Sequence, residues 1–191
     1  MESGNDIQKL REIVLEKSFR YGYFTLTSGM ESLYYFDGRL TTLSPEGSHL
    51  VGKIVFNLLK DTGIEAIGGP TLGADPIVAA VALTSHLEGK PLPAFIVRRE
   101  PKKHGTQRHV EGHLPPEGTV AIVDDVITTG GSILRAITVV EKAGCKVGKV
   151  IVLLDRNQGG ADDLRKRGYE VIALLSADAK GQVSLGQALT S

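Results

Sequence analysis

The chain has 191 residues, of which 41% are hydrophobic and 23% charged, and its 22 basic residues balance its 22 acidic ones. This composition predicts a single compact domain rather than a disordered chain, and the formal net charge of zero argues against general nucleic-acid binding. Pro70, Asp75 and Pro76 interrupt the longest apolar stretch, and the polar amino terminus does not resemble a signal peptide. We therefore expect a cytoplasmic protein with no membrane or nucleic-acid partner.

The first 42 residues predict a small hood over the rest of the chain. Apolar residues at helical spacing indicate a helix over about 5–19, and residues 23–26 and 34–37 have the pattern of short paired strands. Ser44 and Pro45 then mark the start of a second helix, because serine caps a helix and proline suits its first turn.

From residue 43 onward, helical and strand patterns alternate. Alternation of this kind predicts a doubly wound, mostly parallel α/β sheet flanked by helices. Ligands of such sheets bind beyond the carboxyl ends of the strands, where the GGP, RRE, DDV and DRN segments fall. The lone Cys145 cannot form an internal disulfide. Strands are predicted near 64–68, 94–98, 119–124, 148–154 and 170–174, and helices near 74–87, 131–143 and 160–167.

The stretch VAIVDDVITTGGS at 120–132 runs from an apolar strand through two acids into a loop of small residues. Hydroxyls and backbone N–H groups of residues 128–132 would lie at a helix amino terminus, which predicts a phosphate site. The carboxylates of Asp124 and Asp125 would bind sugar hydroxyls or face a divalent ion, so the combination indicates a ribose phosphate. The alternative is a capped turn with solvated acids.

The segment from Arg98 to His113 concentrates positive charge in a neutral protein. It has no apolar periodicity, so we expect a loop or hairpin, and the functional interpretation is binding of a second anion. One alternative is a solvated surface hairpin. Another is a metal site at the histidines, although the nearby cations would repel a metal ion. The basic residues are Arg98, Arg99, Lys102, Lys103 and Arg108, and the histidines are His104, His109 and His113.

Two further features are candidates for contacts with a ligand. Arg156 follows a predicted buried strand, where its guanidinium could bind a carboxylate in bidentate fashion. An ion pair with Asp155 or Asp162 is the alternative role for this arginine. The aromatic run of residues 34–36 could face the ligand or pack within the hood.

Five segments, spread from about residue 5 to about residue 175, resemble the orotate phosphoribosyltransferases of the type I phosphoribosyltransferase family. The basic loop and the DRNQGG turn distinguish this family, because purine and pyrimidine enzymes share the motif at 120–132. The segments are FTLTSGMESLYYFDGR at 24–39, GGPTLGADPIVAAVA at 68–82, VRREPKKHGTQRHVEG at 97–112, VAIVDDVITTGGS at 120–132 and LLDRNQGG at 153–160.

The resemblance implies transfer of ribose 5-phosphate from phosphoribosyl pyrophosphate (PRPP) to orotate in pyrimidine biosynthesis. It implies one domain over 1–191, with a hood over about 1–42, a core over 43–175 and a mobile catalytic loop over about 99–115. It further implies a homodimer whose loop reaches the neighbouring subunit. Mg²⁺ would be held mainly through PRPP and water, with no direct protein ligand beyond Asp124 or Asp125 as candidates.

Site residues are carried over from the resemblance by position. The catalytic residues would be Lys102, His104, Asp124 and Asp125. The PRPP-binding residues would be Arg98, Arg99, Lys102, Lys103, His104, Asp124, Asp125, Val126, Ile127, Thr128, Thr129, Gly130, Gly131 and Ser132. The orotate-binding residues would be Thr128, Arg156, Tyr35 and Phe36.

The chain departs from the family at three positions. Arg99 and Thr27 stand where many members have lysine, and some members have lysine near Gly73. Asp75 brings an acid into the same turn, where it could address PRPP or Mg²⁺ or could cap the next helix. Two alternative functions remain: transfer to another base, and nucleotide sensing without turnover. No segment resembles an appended DNA-binding helix-turn-helix.

Overall fold

The computed structural model describes residues 2–25, 31–100 and 109–186, with side chains from residue 4 onward. The strands are β1 (Phe19–Thr25), β2 (Glu31–Phe36), β3 (Ala66–Pro70), β4 (Ala94–Val97), β5 (Val110–Gly112), β6 (Thr119–Ile127), β7 (Lys146–Asp155), β8 (Val171–Ala177) and β9 (Val183–Leu185). The helices are α1 (Glu2–Lys17), α2 (Arg39–Thr42), α3 (Pro45–Leu59), α4 (Ala74–Leu87), α5 (Gly131–Lys142) and α6 (Gly160–Lys166).

Seven strands form one sheet in the order β5-β4-β3-β6-β7-β8-β9. The five inner strands are parallel, and β5 and β9 join the two edges in antiparallel fashion. This arrangement confirms the predicted mostly parallel α/β sheet. The two edge strands were not predicted, because three residues are too few to show a period. The β4–β5 pair makes part of the basic segment a hairpin, one of the two forms expected for it.

Both faces of the sheet are buried, as expected for parallel strands. Along β6, Val120 and Ile122 pack in the cluster that includes α5 and α6, while Ala121 and Val123 pack in the cluster that includes α1, α3 and α4. Successive side chains of a strand point to opposite faces, so the continuous apolar run of β6 fills two cores at once.

The helix boundaries follow local signals closely. The Ser44 hydroxyl accepts a hydrogen bond from the Gly47 N–H at 3.2 Å, which confirms the predicted start of α3. The range 74–87 predicted for the next helix is the range observed for α4. Helix α1 ends at Lys17, two residues before its predicted end, because Phe19 already belongs to β1.

Within the predicted hood, β1 and β2 form a separate antiparallel pair. Ser32 and Tyr34 of β2 contact Arg156 directly after β7, so this pair lies at the carboxyl edge of the main sheet. The Phe19 ring anchors it, with ring centroids 5.2 Å from both Tyr34 and Phe36. The departure at Thr27 lies outside the described residues. In the part of the chain that the structure describes, no helix has the length and apolar character needed to cross a membrane.

Candidate functional site

The predicted phosphate loop lies between β6 and α5, at the carboxyl edge of the sheet. Val126 and Ile127 end the strand, Gly130 is the residue before the helix with a φ of 78°, and Gly131 begins α5. Glycine is the residue that adopts this left-handed conformation without cost. The first turn of α5 therefore directs unpaired backbone N–H groups into the crevice, as an anion site requires.

Asp124 and Asp125 are buried at the end of β6, with 6% and 9% of their surfaces exposed. This burial contradicts the alternative of solvated acids at a capped turn. Asp124 accepts hydrogen bonds from the Asp125 N–H at 3.0 Å and the Ser132 hydroxyl at 3.1 Å. Burial, followed by repulsion from Asp125, raises the pKa of Asp124 well above its usual range.

Two glycines enclose the Asp125 carboxylate, and no pattern in the sequence indicated either contact. A Cβ atom at Gly38 would lie 2.8 Å from the Asp125 Cβ, and one at Gly73 would overlap the oxygens of both acids. Gly38 belongs to the segment that follows the hood, and Gly73 belongs to the turn after β3. A side chain at position 73 would collide with this acid pair.

Asp75 does not cap α4 through its side chain, which was one of its two expected roles. Its Oδ2 atom accepts a hydrogen bond from the Thr71 hydroxyl at 2.8 Å. Its Oδ1 atom is buried and has no hydrogen-bond partner among the described residues. The side chain lines a cavity of about 460 Å³ together with Arg98 and Arg99. Asp75 therefore has an acceptor atom that the protein leaves unused beside these cations.

The described part of the basic segment reaches the phosphate loop. Arg98 and Arg99 line a cavity of about 710 Å³ that also contains Gly131 and Ser132. Arg98 contacts Glu111 at 3.4 Å across the β4–β5 hairpin. Lys102, Lys103 and His104, like Arg108, lie outside the described residues. Within the described ranges, no group of three His, Cys, Asp or Glu side chains is arranged to hold a metal ion.

Arg156 lies at the end of β7 with 7% of its surface exposed. Its Nε donates a hydrogen bond to the Tyr34 hydroxyl at 3.1 Å, and its Nη2 donates one to the Ser32 hydroxyl at 2.9 Å. The guanidinium carbon also lies 4.4 Å from the centre of the Tyr34 ring. The expected ion-pair alternative is not found among the described residues, because Asp162 contacts Arg165 instead.

A cavity of about 340 Å³ surrounds this arginine, with Ser32, Tyr34 and Gln158 among its lining residues. Burial raises the pKa of Tyr34, so its hydroxyl keeps its proton at neutral pH. Sequence reasoning did not select Ser32 or Tyr34 for this site. Only the alternation of β2, which turns Tyr34 toward the interior, could have indicated them, and it does not identify Arg156 as their partner.

The other residues assigned to the base face different surroundings. Tyr35 is 41% exposed and lines a cavity of about 280 Å³ with Gly73 and Asp125. Phe36 borders the same cavity, but its ring packs on Phe19 and is largely buried. Thr128 is half-buried at the start of the phosphate loop. Within this run, Phe36 packs in the core and Tyr35 borders the crevice, and contact with a ligand stays a prediction.

The turn that carries Arg156 is joined to the phosphate loop through the main chain. The Arg156 N–H donates a hydrogen bond to the Ile127 carbonyl at 3.1 Å, and the Gly160 N–H donates one to the Thr128 carbonyl at 2.9 Å. A Cβ at Gly160 would lie 2.6 Å from the Gly130 nitrogen, so only glycine allows this approach. Two main-chain hydrogen bonds thus join the predicted phosphate loop to the turn of the buried Arg156, just beyond the acid pair.

Comparison with known proteins agrees with this geometry. Residues 47–182 match the family model of the phosphoribosyl transferase domain. The orotate phosphoribosyltransferase of Nostoc sp. is 42% identical over 171 residues, which are 88% of this chain and 82% of that protein.

Solved structures give the same result. A Mycobacterium tuberculosis orotate phosphoribosyltransferase in complex with Fe(III) dicitrate has a TM-score of 0.79 and 37% identity, covering 90% of this chain and 96% of the other. A structure of the M. tuberculosis enzyme in complex with PRPP has a TM-score of 0.75 and 34% identity over the same shares. The family match, the relatives and the shared fold lead to one conclusion: this chain belongs to the orotate phosphoribosyltransferase family.

Proposed function

We propose that this protein transfers the ribose 5-phosphate group of PRPP to orotate, giving orotidine 5′-monophosphate and pyrophosphate in pyrimidine biosynthesis. The observation that carries this proposal is the main-chain link between the phosphate loop and the Arg156 turn. It holds the predicted phosphate loop and the buried Arg156 turn together just beyond two buried carboxylates, which supports binding of a nucleotide-like ligand.

PRPP would bind along the strand edge. The backbone N–H groups and hydroxyls of residues 126–132 would hold the 5-phosphate, and Asp124 and Asp125 would accept hydrogen bonds from the ribose hydroxyls. Arg98 and Arg99 border the same crevice and would bind the pyrophosphate. Lys102, Lys103 and His104 would contact the same group, as the family resemblance implies, and Lys102 and His104 would act in catalysis.

Orotate would bind against the hood. The orotate carboxylate or a ring carbonyl would accept hydrogen bonds from Arg156, whose Nε and Nη2 are already oriented by Tyr34 and Ser32. Thr128, Tyr35 and Phe36 would complete the base site, with Tyr35 supplying an exposed ring and Phe36 a neighbouring wall.

The reaction would displace pyrophosphate from the anomeric carbon of PRPP. A ring nitrogen of orotate gives up its proton, which passes to the departing pyrophosphate or to water, and forms the new bond to that carbon. The bond to the pyrophosphate oxygen breaks, and the departing group keeps the electron pair. The sugar acquires oxocarbenium character on the way, so positive charge near the leaving oxygens lowers the barrier. Arg98 and Arg99, with Lys102 and Lys103, would supply that charge.

The residues present fit Mg²⁺ bound through the substrate rather than through a protein cage. Asp124 and Asp125 are the candidate protein contacts. When bound to the pyrophosphate oxygens, Mg²⁺ would neutralise part of their charge. Arg98 and Arg99 would hold the remaining charge, and the buried strand edge would limit access of water to the anomeric carbon.

A homodimer is the assembly that we propose. Helix α4 and the turn before it present exposed leucines along one side: Leu72, Leu83 and Leu87 are 64%, 62% and 75% exposed. Three large apolar side chains at this spacing favour burial against a second copy. Leu83→Glu should shift the protein from dimer to monomer in sedimentation, and an unchanged mass would argue against this face.

The family's sharing of the basic loop between subunits gives a second test of assembly. Mixing Lys102→Ala protein with Arg156→Ala protein should restore activity if each site takes its arginine from one chain and its lysine from the other. A mixture that stays inactive, although both variants form dimers, would argue against shared sites. We further propose a single functional domain over 1–191 in the cytoplasm, with the hood, core and loop ranges given above.

Orotate consumption, followed by its ultraviolet absorbance, tests the activity directly. The absorbance should fall only when protein, PRPP and Mg²⁺ are all present, and omission of any one should abolish the change. Turnover of a different base in a substrate panel would replace orotate as the substrate. PRPP binding in calorimetry without turnover of any base would favour the sensing function.

A further inference from the structure

A short segment after β2 forms a charged arm beside the acid pair. The Asp37 carboxylate accepts hydrogen bonds from Arg39 Nε at 2.8 Å and Nη2 at 2.9 Å. It also accepts one from the Arg39 backbone N–H at 3.1 Å. This bidentate pair fixes the plane of the guanidinium, which a lysine could not reproduce.

This arm lies against Asp125. Gly38, between the two charged residues, approaches the Asp125 side chain so closely that a Cβ there would lie 2.9 Å from its Oδ2. Asp37, Arg39 and Asp125 line the same small cavity beside Tyr35 and Gly73. Burial raises the pKa of Asp125, and the positive charge of Arg39 opposes that rise while Asp37 adds to it.

We propose that Arg39 is a positioning residue of the ribose site, which holds the Asp125 carboxylate in place for the ribose hydroxyls of PRPP. This inference rests on the proposed role of Asp125 in binding ribose. Two adjacent buried carboxylates repel each other, and a nearby fixed cation offsets that repulsion. Arg39 is the cation that belongs to the arm packed on Asp125.

Asp37 has a distinct part in this arrangement. A free arginine beside Asp125 would form its own ion pair and occupy the oxygens that the ribose needs. Because Asp37 already accepts from Nε and Nη2, Arg39 contributes its charge without covering Asp125. The two residues therefore act as a unit, and their substitutions should not be additive.

The experiment measures KM for PRPP and for orotate in four variants. Arg39→Gln should raise KM for PRPP about tenfold and leave KM for orotate within about twofold, since only the ribose end loses a charge. Asp37→Asn should also weaken PRPP binding, and the double variant should be no worse than Arg39→Gln. Arg39→Lys should recover part of the affinity because it restores the charge without the fixed geometry. The matched control is Arg167→Gln, the same change at an exposed residue directly after the end of α6.

Three outcomes would overturn the inference. The first is an unchanged KM for PRPP in Arg39→Gln. The second is an equal loss for both substrates together with a lower melting temperature than Arg167→Gln, which indicates a purely structural turn. The third is full additivity of the two arm substitutions.

Asp125→Asn separates this inference from the proposal on which it rests. If Asp125→Asn raises KM for PRPP and Arg39→Gln does not, only the role of Arg39 fails. If Asp125→Asn itself leaves PRPP binding unchanged, the ribose assignment fails first.

Discussion

The two ends of the crevice are built in different ways. The phosphate end uses consecutive residues, 124–132, and offers mainly backbone N–H groups at the start of α5. The base end takes Ser32 and Tyr34 from the hood and Arg156 from β7, more than 120 positions apart in the sequence. Recognition by backbone shape can be encoded in one short motif, whereas recognition by side chains depends on where the fold brings distant segments.

Removing the base-reading cation should have the largest effect. We expect Arg156→Ala to lower kcat/KM for orotate by about 10²–10³, because a bidentate charged contact is lost from a buried site. KM for PRPP should change little, since the phosphate loop keeps its backbone. Steady-state kinetics with each substrate varied in turn measures both values.

Arg165→Ala is the control for that experiment, because Arg165 pairs with Asp162 on the surface of α6. It should retain nearly full activity. If Arg156→Ala affected both substrates equally, the two ends would not be separable, and the contrast drawn above would be wrong.

A substitution at Gly131 should weaken PRPP binding at the proposed phosphate site without disturbing the fold. Apart from its chain neighbours and the backbone of its own helix, a Cβ at Gly131 would have Arg135 Nη1 at 3.6 Å as its nearest described neighbour, so Gly131→Ala should fold with unchanged or slightly higher stability. The methyl group would project where the 5-phosphate binds, so we expect KM for PRPP to rise at least about tenfold. Calorimetry with PRPP alone and thermal melting give the two readouts.

Gly4→Ala is the matched change in open space on α1. It should show the stability effect alone. Normal PRPP affinity in Gly131→Ala would mean that the phosphate does not approach the first residue of α5.

A smaller change, at Tyr34, tests the proposed base site in more detail. Tyr34→Phe removes the hydroxyl that accepts from Arg156 Nε but keeps the ring on which the guanidinium packs. We expect KM for orotate to rise about 3- to 10-fold, which corresponds to about 0.6–1.4 kcal/mol, the net contribution of one typical hydrogen bond. Ser32→Ala should have a similar effect, and PRPP binding should not respond. Equal losses for both substrates would indicate a general packing defect instead.

The last prediction concerns stability, for a substitution that should stabilise the fold while it weakens the proposed site. The pKa of Asp124 is raised above its usual 3.8 in the folded protein, because burial disfavours the charged form. The folded state then binds a proton more tightly than the unfolded state, so stability falls as pH rises through the raised pKa. Asp124→Asn should therefore increase the free energy of unfolding by about 1–2 kcal/mol at pH 7, although it removes a proposed ribose contact.

Urea unfolding at several pH values tests this expectation. The stability difference between Asp124→Asn and the parent should shrink as pH falls toward 4, where the parent carboxyl also takes up its proton. A difference that stayed constant with pH would show that the charge of Asp124 is not what costs stability.

The contrast also explains what the sequence could predict. The alternation of strands and helices is local, so the parallel sheet and the limits of α4 followed from it. The phosphate loop followed as well, because Gly130 and Gly131 stand next to the acids in the chain. The contacts of Gly38 and Gly73 with Asp125 join three separate segments, and no period or spacing encodes such an approach.

The same reasoning applies to the arm of Asp37 and Arg39. From the sequence alone, these two charged residues look like ordinary polar residues at the end of a hood strand. Their importance depends on the segment after β2 lying beside Asp125, which is a property of the tertiary structure. Likewise, an ion pair between Arg156 and a neighbouring acid was a reasonable alternative until the hood supplied Ser32 and Tyr34 as hydrogen-bond partners.

Main-chain hydrogen bonds from Arg156 to Ile127 and from Gly160 to Thr128 set the spacing along the crevice. They fix the distance between the Arg156 turn, our proposed base contact, and the loop at 128–132, our proposed phosphate site, independently of any side chain. The crevice would therefore select its product by length as well as by chemical groups. Side chains around Arg156 can change, and with them the preferred ring, while the spacing suited to a nucleoside monophosphate stays the same.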